Sequence, residues 1–315
     1  MFQGNRVVDG HADILYRMGR ENLSFGDVDS KLQQSYEKLK ASGVDLQVFV
    51  TFVEPALSSG EQLYEVFSSL QRFYDEVVPK GVSPILSAAD LANVRNPEQH
   101  QIFGLLSVEG AECLDRRISV LDGLYRMGIR LIGLTWNGQN CLADGVGELR
   151  GGGLTQFGFE VVQRMNELGM VIDVSHLSVQ GVWDVLDTSR APIVASHSNA
   201  MRVHAHRRNL TDDQIRAIAR SGGLIGATFV PPFLAEKGAS IDDVLRHIDY
   251  LLTIAGEDAV GLGSDFDGID EGPVGLRDGR SYPDLLERLY RAYGEPLAKK
   301  IAGESWLRVL ESVLR

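Results

Sequence analysis

Short apolar runs that end in a polar residue alternate with amphipathic stretches along the chain. The first run, Arg6–Val8, leads into Asp9-Gly10-His11-Ala12-Asp13. A polar connection follows, then a helical pattern over Ser30–Ala41. Val44–Val53 reads as a buried strand, rich in β-branched and aromatic residues. Glu61–Val78 reads as a helix with Leu63, Val66, Phe67, Leu70, Phe73, Tyr74 and Val77 on one stripe. Strands are predicted at Ile102–Val108, Ile129–Trp136, Met170–Val174, Ala191–Ala195, Gly223–Val230 and Ala259–Gly263. Helices are predicted between them at Ser119–Met127, Phe157–Leu168, Val179–Leu186, Asp212–Arg220 and Ile241–Ala255. Thr211 and Ser240 stand where N-caps belong. Two helical segments, Pro283–Ala292 and Pro296–Leu314, close the pattern.

Strand–helix alternation implies parallel strands joined by crossover helices. Roughly eight such units predict an α/β chain folded as one (β/α)₈ barrel domain over residues 1–315. A doubly wound open sheet is the alternative, but no Gly-x-Gly-x-x-Gly follows an early strand.

Composition narrows the function more than the fold. A formal net charge of -12 disfavours nucleic acid as a partner. The two cysteines, Cys113 and Cys141, make neither a disulfide framework nor a thiolate zinc site, although one bond between them stays open. Met1–Asn5 shows no secretory signal pattern, and no apolar run reaches membrane-spanning length. The expectation is a cytoplasmic enzyme.

Candidate chemistry collects at one position in successive units. His11 and Asp13 follow the first strand, and residues two apart on an extended chain face the same side. Glu109, His176, His197 and Asp265 each stand just past a later predicted strand. In a barrel those ends converge on one face, where active sites are built. The other histidines, His100, His204, His206 and His247, fall in loops or on a helix. Three histidines and two carboxylates suit Zn²⁺, but five ligands exceed what one catalytic zinc takes from a protein. Two ions sharing Glu109 fit better: His11, Asp13 and Glu109 for one, Glu109, His176 and His197 for the other. The chain has no lysine from Gly81 to Glu236, so a carboxylated-lysine bridge is excluded across the middle strands. Asp265 is then a proton carrier beside the metals. Arg207 and Arg208 offer a guanidinium for a substrate carboxylate.

These segments, in this order, resemble the membrane dipeptidase (renal dipeptidase) family of zinc peptidases. The resemblance rests on Asp9-Gly10-His11-Ala12-Asp13, Val108-Glu109-Gly110, Asp173-Val174-Ser175-His176, Ser196-His197-Ser198, Arg207-Arg208-Asn209 and Gly263-Ser264-Asp265-Phe266-Asp267-Gly268. It implies a (β/α)₈ barrel, two zinc ions per chain, a homodimer, and hydrolysis of dipeptides, often with a D-residue at the C-terminal position. It also implies His11, Asp13, Glu109, His176 and His197 as ligands, Asp265 as catalytic acid/base, and Arg208 as the binder of the substrate's terminal carboxylate. Attack on the peptide carbonyl would come from a hydroxide held between the two metals.

One segment departs from the family. Where many members carry Leu-Thr-His, this chain reads Leu134-Thr135-Trp136-Asn137. The missing histidine is credited with binding the scissile carbonyl oxygen. Trp136 offers only an indole N–H there, and Asn137, Gln139 or Asn140 are candidate replacements. The alternatives are a related amide, lactam or ester hydrolase with a pocket altered at Trp136, or a metal-bound binding protein without turnover.

Overall fold

The computed structural model describes residues 6–96 and 101–315, so His100 lies outside the described residues. Nine strands form: β1 Val8–Ala12, β2 Leu46–Phe52, β3 Val82–Pro84, β4 Ile102–Glu109, β5 Ile129–Gly133, β6 Val171–Asp173, β7 Val194–Ala195, β8 Leu224–Ala227 and β9 Val260–Leu262. All pair in parallel. The ring β1-β2-β4-β5-β6-β7-β8-β9 closes through β1–β9 and β2–β4, which makes an eight-stranded barrel with flanking helices. β3 pairs with β4 outside the ring. It escapes the sequence pattern because it is three residues long and ends in Pro84.

Alternation along the strands turns an apolar interior into a polar mouth. Leu105, Ser107 and Glu109 share one face of β4, and Val171 and Asp173 share one face of β6. Low in the barrel, Val8, Leu46, Val48, Val50, Leu105, Leu131, Val171, Val194 and Leu224 pack with Trp306 and Leu310 of the last helix, Ser305–Val313. The Trp306 indole N–H donates to the Leu262 carbonyl at 2.9 Å.

Several predicted helices fall where expected, with the reason visible at their starts. Thr211 accepts the Gln214 amide N–H, and the Gln214 side chain accepts the Thr211 N–H. Ser240 and Asp243 repeat this reciprocal cap on Ile241–Ala255. Two readings shift. The segment after Asp13 is a helix, Ile14–Glu21, which buries Ile14, Leu15 and Met18. The helix Ser59–Arg72 buries Gln62, Val66, Ser69 and Leu70 and turns Phe67 outward, then passes into a π-helical turn, Phe73–Val77. Among the described residues no helix is long and apolar enough to cross a membrane.

His247 joins two of the loops above the barrel. Its Nδ1 accepts the Ala200 N–H at 3.2 Å, and its Nε2–H donates to the Leu234 carbonyl at 3.3 Å. Burial lowers its pKa to about 4. The folded-state value lies below the unfolded one, so the unfolded chain binds the extra proton. The resulting stability is present above about pH 6.5 and is lost as pH falls toward 4, by up to about 3 kcal/mol. Urea unfolding between pH 7.5 and 4.5 should therefore weaken more steeply in the wild type than in His247→Gln. Parallel pH dependence in the two proteins would refute this account.

Candidate metal centre

β1 and the turn after β9 are stitched together at the mouth. The Asp265 N–H donates to the His11 carbonyl at 3.0 Å, and the Asp13 N–H to the Phe266 carbonyl at 2.8 Å. The turn holds Asp265 and Asp267 at positive φ, 63° and 68°, a region that Asp and Asn tolerate better than most residues. Gly268 packs against the carboxylates of Asp13 and Asp265, where a Cβ would collide with both. β1 carries an irregularity between Asp9 and Ala12, and His11 and Asp13 still converge as predicted, Nε2 to Oδ2 at 3.6 Å.

Glu109 Oε1, at the end of β4, is the hub. His176 Nε2 lies 2.9 Å from it, His197 Nε2 3.4 Å and His11 Nε2 3.7 Å. Asp265 Oδ1 is 3.9 Å from His11 Nε2. All six groups predicted from the strand ends thus meet in one place, and all are buried but Asp265, which is partly so. The proximity is not hydrogen bonding: Glu109 Oε1, His11 Nε2 and Asp13 Oδ1 are buried without a hydrogen-bond partner. His176 and His197 direct their Nε2 atoms at each other across 2.9 Å. Converging, unpartnered lone pairs of this kind are costly unless a cation lies among them. The donor set, imidazole nitrogen and carboxylate oxygen, fits a divalent ion of the zinc type. Glu109, His176 and His197 form one group of metal-holding geometry; His11, Asp13 and Asp265 form another.

The ring nitrogens that face away are all anchored. Ser196 Oγ takes His197 Nδ1 at 2.8 Å and His11 Nδ1 at 3.2 Å, and donates its own proton to Asp173 Oδ2 at 2.5 Å. Asp173 Oδ1 accepts the Ser175 and Ser196 N–H groups at 3.0 and 2.9 Å. His11, Asp173 and His197 also lie within ligand reach of one another, but on this Nδ1 side, with the carboxylate already occupied by donors. Asp173 therefore anchors imidazoles. His176 Nδ1 is held by Asn137 Oδ1 at 2.9 Å. Such outward partners fix the tautomer and leave Nε2 free to ligate.

The charges explain the titration of the site. Burial lowers the His11 pKa, but Glu109, Asp13 and Asp265 outweigh it and push it up to about 10. Burial, with Arg208 and His11 nearby, holds His176 and His197 well below the ordinary imidazole value. Burial raises Glu109 well above the carboxylate range, with Asp13 and Asp265 adding to it. Burial likewise brings Asp265 to about 7 against the pull of His11.

A cavity of about 340 Å³ opens over the centre. Tyr16, Phe52, Trp136, Val230 and Phe233 supply its apolar lining, with Arg20 and Glu54 beside them. A larger depression of about 430 Å³ lies beside the N-terminal ends of β6 and β7, without a comparable cluster of metal-capable groups. Of the two adjacent arginines, Arg207 is exposed and Arg208 is buried. Arg208 donates to the Ser175 carbonyl through Nη1 and to the His197 carbonyl through Nη2, and Phe233 lies over it at 5.4 Å. Its Nε has no partner. Trp136 stands edge-on to Phe52 at 5.3 Å and 6.1 Å from the His176 ring. Gln139 and Asn140 serve the loop instead: Gln139 accepts from Arg150, and Asn140 bridges Leu134, Leu142 and Ala143. Both cysteines are free thiols.

The chain is similar to known proteins along its length. The family model described as membrane dipeptidase (peptidase family M19) matches residues 1–315. An uncharacterized dipeptidase of Schizosaccharomyces pombe is 32% identical over 307 residues, covering 89% of this chain and 73% of its own. A Klebsiella pneumoniae protein from the pqqA 5′ region is 40% identical over 240 residues, 72% of this chain and 88% of its own. Among solved structures, a Rhodobacter sphaeroides metallopeptidase bound to a phosphinate mimic of the dipeptide L-Ala-D-Ala superposes with a TM-score of 0.89. It is 28% identical, over 98% of this chain and 99% of its own. The M19 dipeptidase AC superposes with a TM-score of 0.90 at 29% identity over 99% of both chains. With its closed barrel, its converging imidazoles and carboxylates and a family match along its whole length, the chain belongs to the membrane dipeptidase family, peptidase family M19, and so to the metal-dependent peptide hydrolases.

Proposed function

We propose that the protein is a binuclear zinc dipeptidase for substrates with a free C-terminal carboxylate, with a D-residue accepted at that end. The observation that carries the reading is the placement of Glu109 Oε1 within 3.7 Å of three imidazole Nε2 atoms, with no hydrogen bond of its own. His11, Asp13 and Glu109 would hold one ion; Glu109, His176 and His197 the other. When bound, two such ions acidify a water and polarise the scissile carbonyl. The chain's own groups do the rest. Asp265 accepts the water's proton and delivers it to the leaving amine. Arg208 binds the terminal carboxylate with donors that its two main-chain contacts leave over, Nε among them. The aromatic walls exclude water, and the cavity's size limits the substrate to short peptides. The D-residue is supported by the L-Ala-D-Ala mimic bound to the Rhodobacter sphaeroides relative. We read the working enzyme as a cytoplasmic homodimer. The two free thiols support the reducing compartment, and the dimer rests on the family resemblance.

The test is a release assay on zinc-loaded protein with matched L,L and L,D dipeptides and their C-terminal amides. Free amino acids should appear from both acids, and the amides should be cleaved at least about tenfold more slowly, since a charged hydrogen bond to Arg208 is worth about 1.5–3 kcal/mol. Silence from every dipeptide by a chain holding two zinc ions would turn the reading toward another amide, lactam or ester. It would equally allow binding alone, with Trp136 as the reason.

A further inference from the structure

Two of the three inward-facing imidazoles share one anchor, and the third does not. His11 and His197 hang from Ser196, below the metal centre and backed by Asp173. His176 is held by Asn137, which also lines the substrate cavity. Asn137 Oδ1 lies 2.9 Å from His176 Nδ1, so it selects the tautomer that carries its proton on Nδ1. The other end of the same amide, its NH₂, has no partner among the described residues.

The loop is built to hold Asn137 there. The Gly147 N–H donates to the Asn137 carbonyl at 2.7 Å, and the Gly145 N–H to the Gly138 carbonyl at 3.0 Å. Gly145 packs so closely on the Trp136 and Asn137 backbone that a Cβ would overlap it. The Val146 N–H donates to the His176 carbonyl at 2.7 Å, which ties the same loop to the histidine's own backbone. Both ends of the Asn137–His176 contact are therefore fixed by one loop.

We propose that Asn137 is a positioning residue with two faces: its carbonyl oxygen sets His176 for metal binding, and its free N–H donates to the acyl oxygen of the substrate in the cavity. This rests on the metal-site reading above. One side chain then couples occupancy of the His176 metal position to the polarity of the pocket, and Trp136 beside it supplies wall only.

Two variants separate the faces. Asn137→Asp keeps an acceptor for the His176 proton and removes the donor. Asn137→Ala removes both. Zinc retention is measured by competition with a chromophoric chelator, which needs no substrate, and kcat and KM are measured on a hydrolysed dipeptide. Asn137→Ala should release one of its two zinc ions about 10–100-fold more readily than the wild type. Asn137→Asp should hold both, with kcat lower by on the order of 10²–10³ and KM little changed. Retention in Asn137→Ala equal to wild type would overturn the positioning role. Zinc loss in Asn137→Asp would overturn it too, because it would mean that His176 Nδ1 accepts rather than donates. Wild-type kcat in Asn137→Asp would overturn the donor role. Zinc retention without dipeptide hydrolysis in the wild type would count against the dipeptidase reading and leave the retention comparison standing.

Discussion

Glu109→Gln should cost the protein both metal positions and reduce hydrolysis to background. Glu109 Oε1 is the atom that lies within reach of His11, His176 and His197 together. Among the described residues, the other two carboxylates of the centre, Asp13 and Asp265, gather on the His11 side. A neutral amide there cannot balance two dications, and its NH₂ would point a donor at cations. Metal activation is worth several kcal/mol of transition-state stabilisation, so turnover should fall by on the order of 10³ or more. Stability without metal should move the other way. A buried carboxylate among Asp13 and Asp265 is unfavourable without a cation, and burial already pushes the Glu109 pKa well upward. Because the folded-state pKa exceeds the unfolded one, Glu109 weakens the metal-free fold as pH rises above the ordinary carboxylate range. The metal-free glutamine variant should therefore melt no lower than the metal-free wild type at pH 7.5, and zinc should raise its melting temperature less. Calorimetry with and without zinc, together with metal analysis, checks both signs. Two tightly held zinc ions in Glu109→Gln would remove the shared-carboxylate reading.

Legibility in the sequence followed the range of the interactions concerned. The barrel is readable because most of its strands are apolar runs that lead into a polar residue, a purely local signal. His11, Glu109, His176 and His197 were readable for the same reason, since strand ends in a barrel share a face. The anchors of those histidines were not readable as such. Ser196 and Asp173 lie inside the quoted motifs, yet nothing in their spacing says that one hydroxyl receives protons from residues 11 and 197 and passes its own to residue 173. Spacing alone does not choose between Arg207 and Arg208, because adjacent residues in a loop carry no periodicity; the family resemblance favours Arg208, and the fold buries Arg208 and exposes Arg207. The helix Ile14–Glu21 is not legible in the sequence because it is short and sets five polar or small residues against three buried ones. Asn137, the residue next to Trp136, is the expected substrate contact, with Gln139 and Asn140 as further candidates for the missing donor. In space, one faces the cavity and the others serve the loop.

Asp265→Asn should lower kcat by about 10²–10⁴ with both metals retained, the range expected for loss of a positioned proton carrier. The substitution is well suited to the site. Asn adopts φ near 63° as readily as Asp, and the N–H that bonds the His11 carbonyl is untouched, so the turn and the strand it clasps should fold as before. Alanine would be a poorer test, since it disfavours that backbone conformation. The amide keeps the shape of the carboxylate and removes the capacity to take a proton. Without a cation, burial brings Asp265 to about 7 against the pull of His11, and bound dications would draw it lower. A general base works deprotonated, so kcat/KM of the wild type should rise with pH through that group's pKa and level off above it. The residual activity of Asp265→Asn should lack this acid limb. Metal analysis of the same samples decides the role. Asp265 stands with His11 and Asp13 in one of the two metal-capable groups, so a variant that lost one zinc ion would make it a ligand. Two zinc ions, a flattened acid limb and slow turnover together would make it the proton carrier. The distinction matters for the chemistry, because a carboxylate bound to a metal as a ligand is not free to carry the proton to the leaving amine.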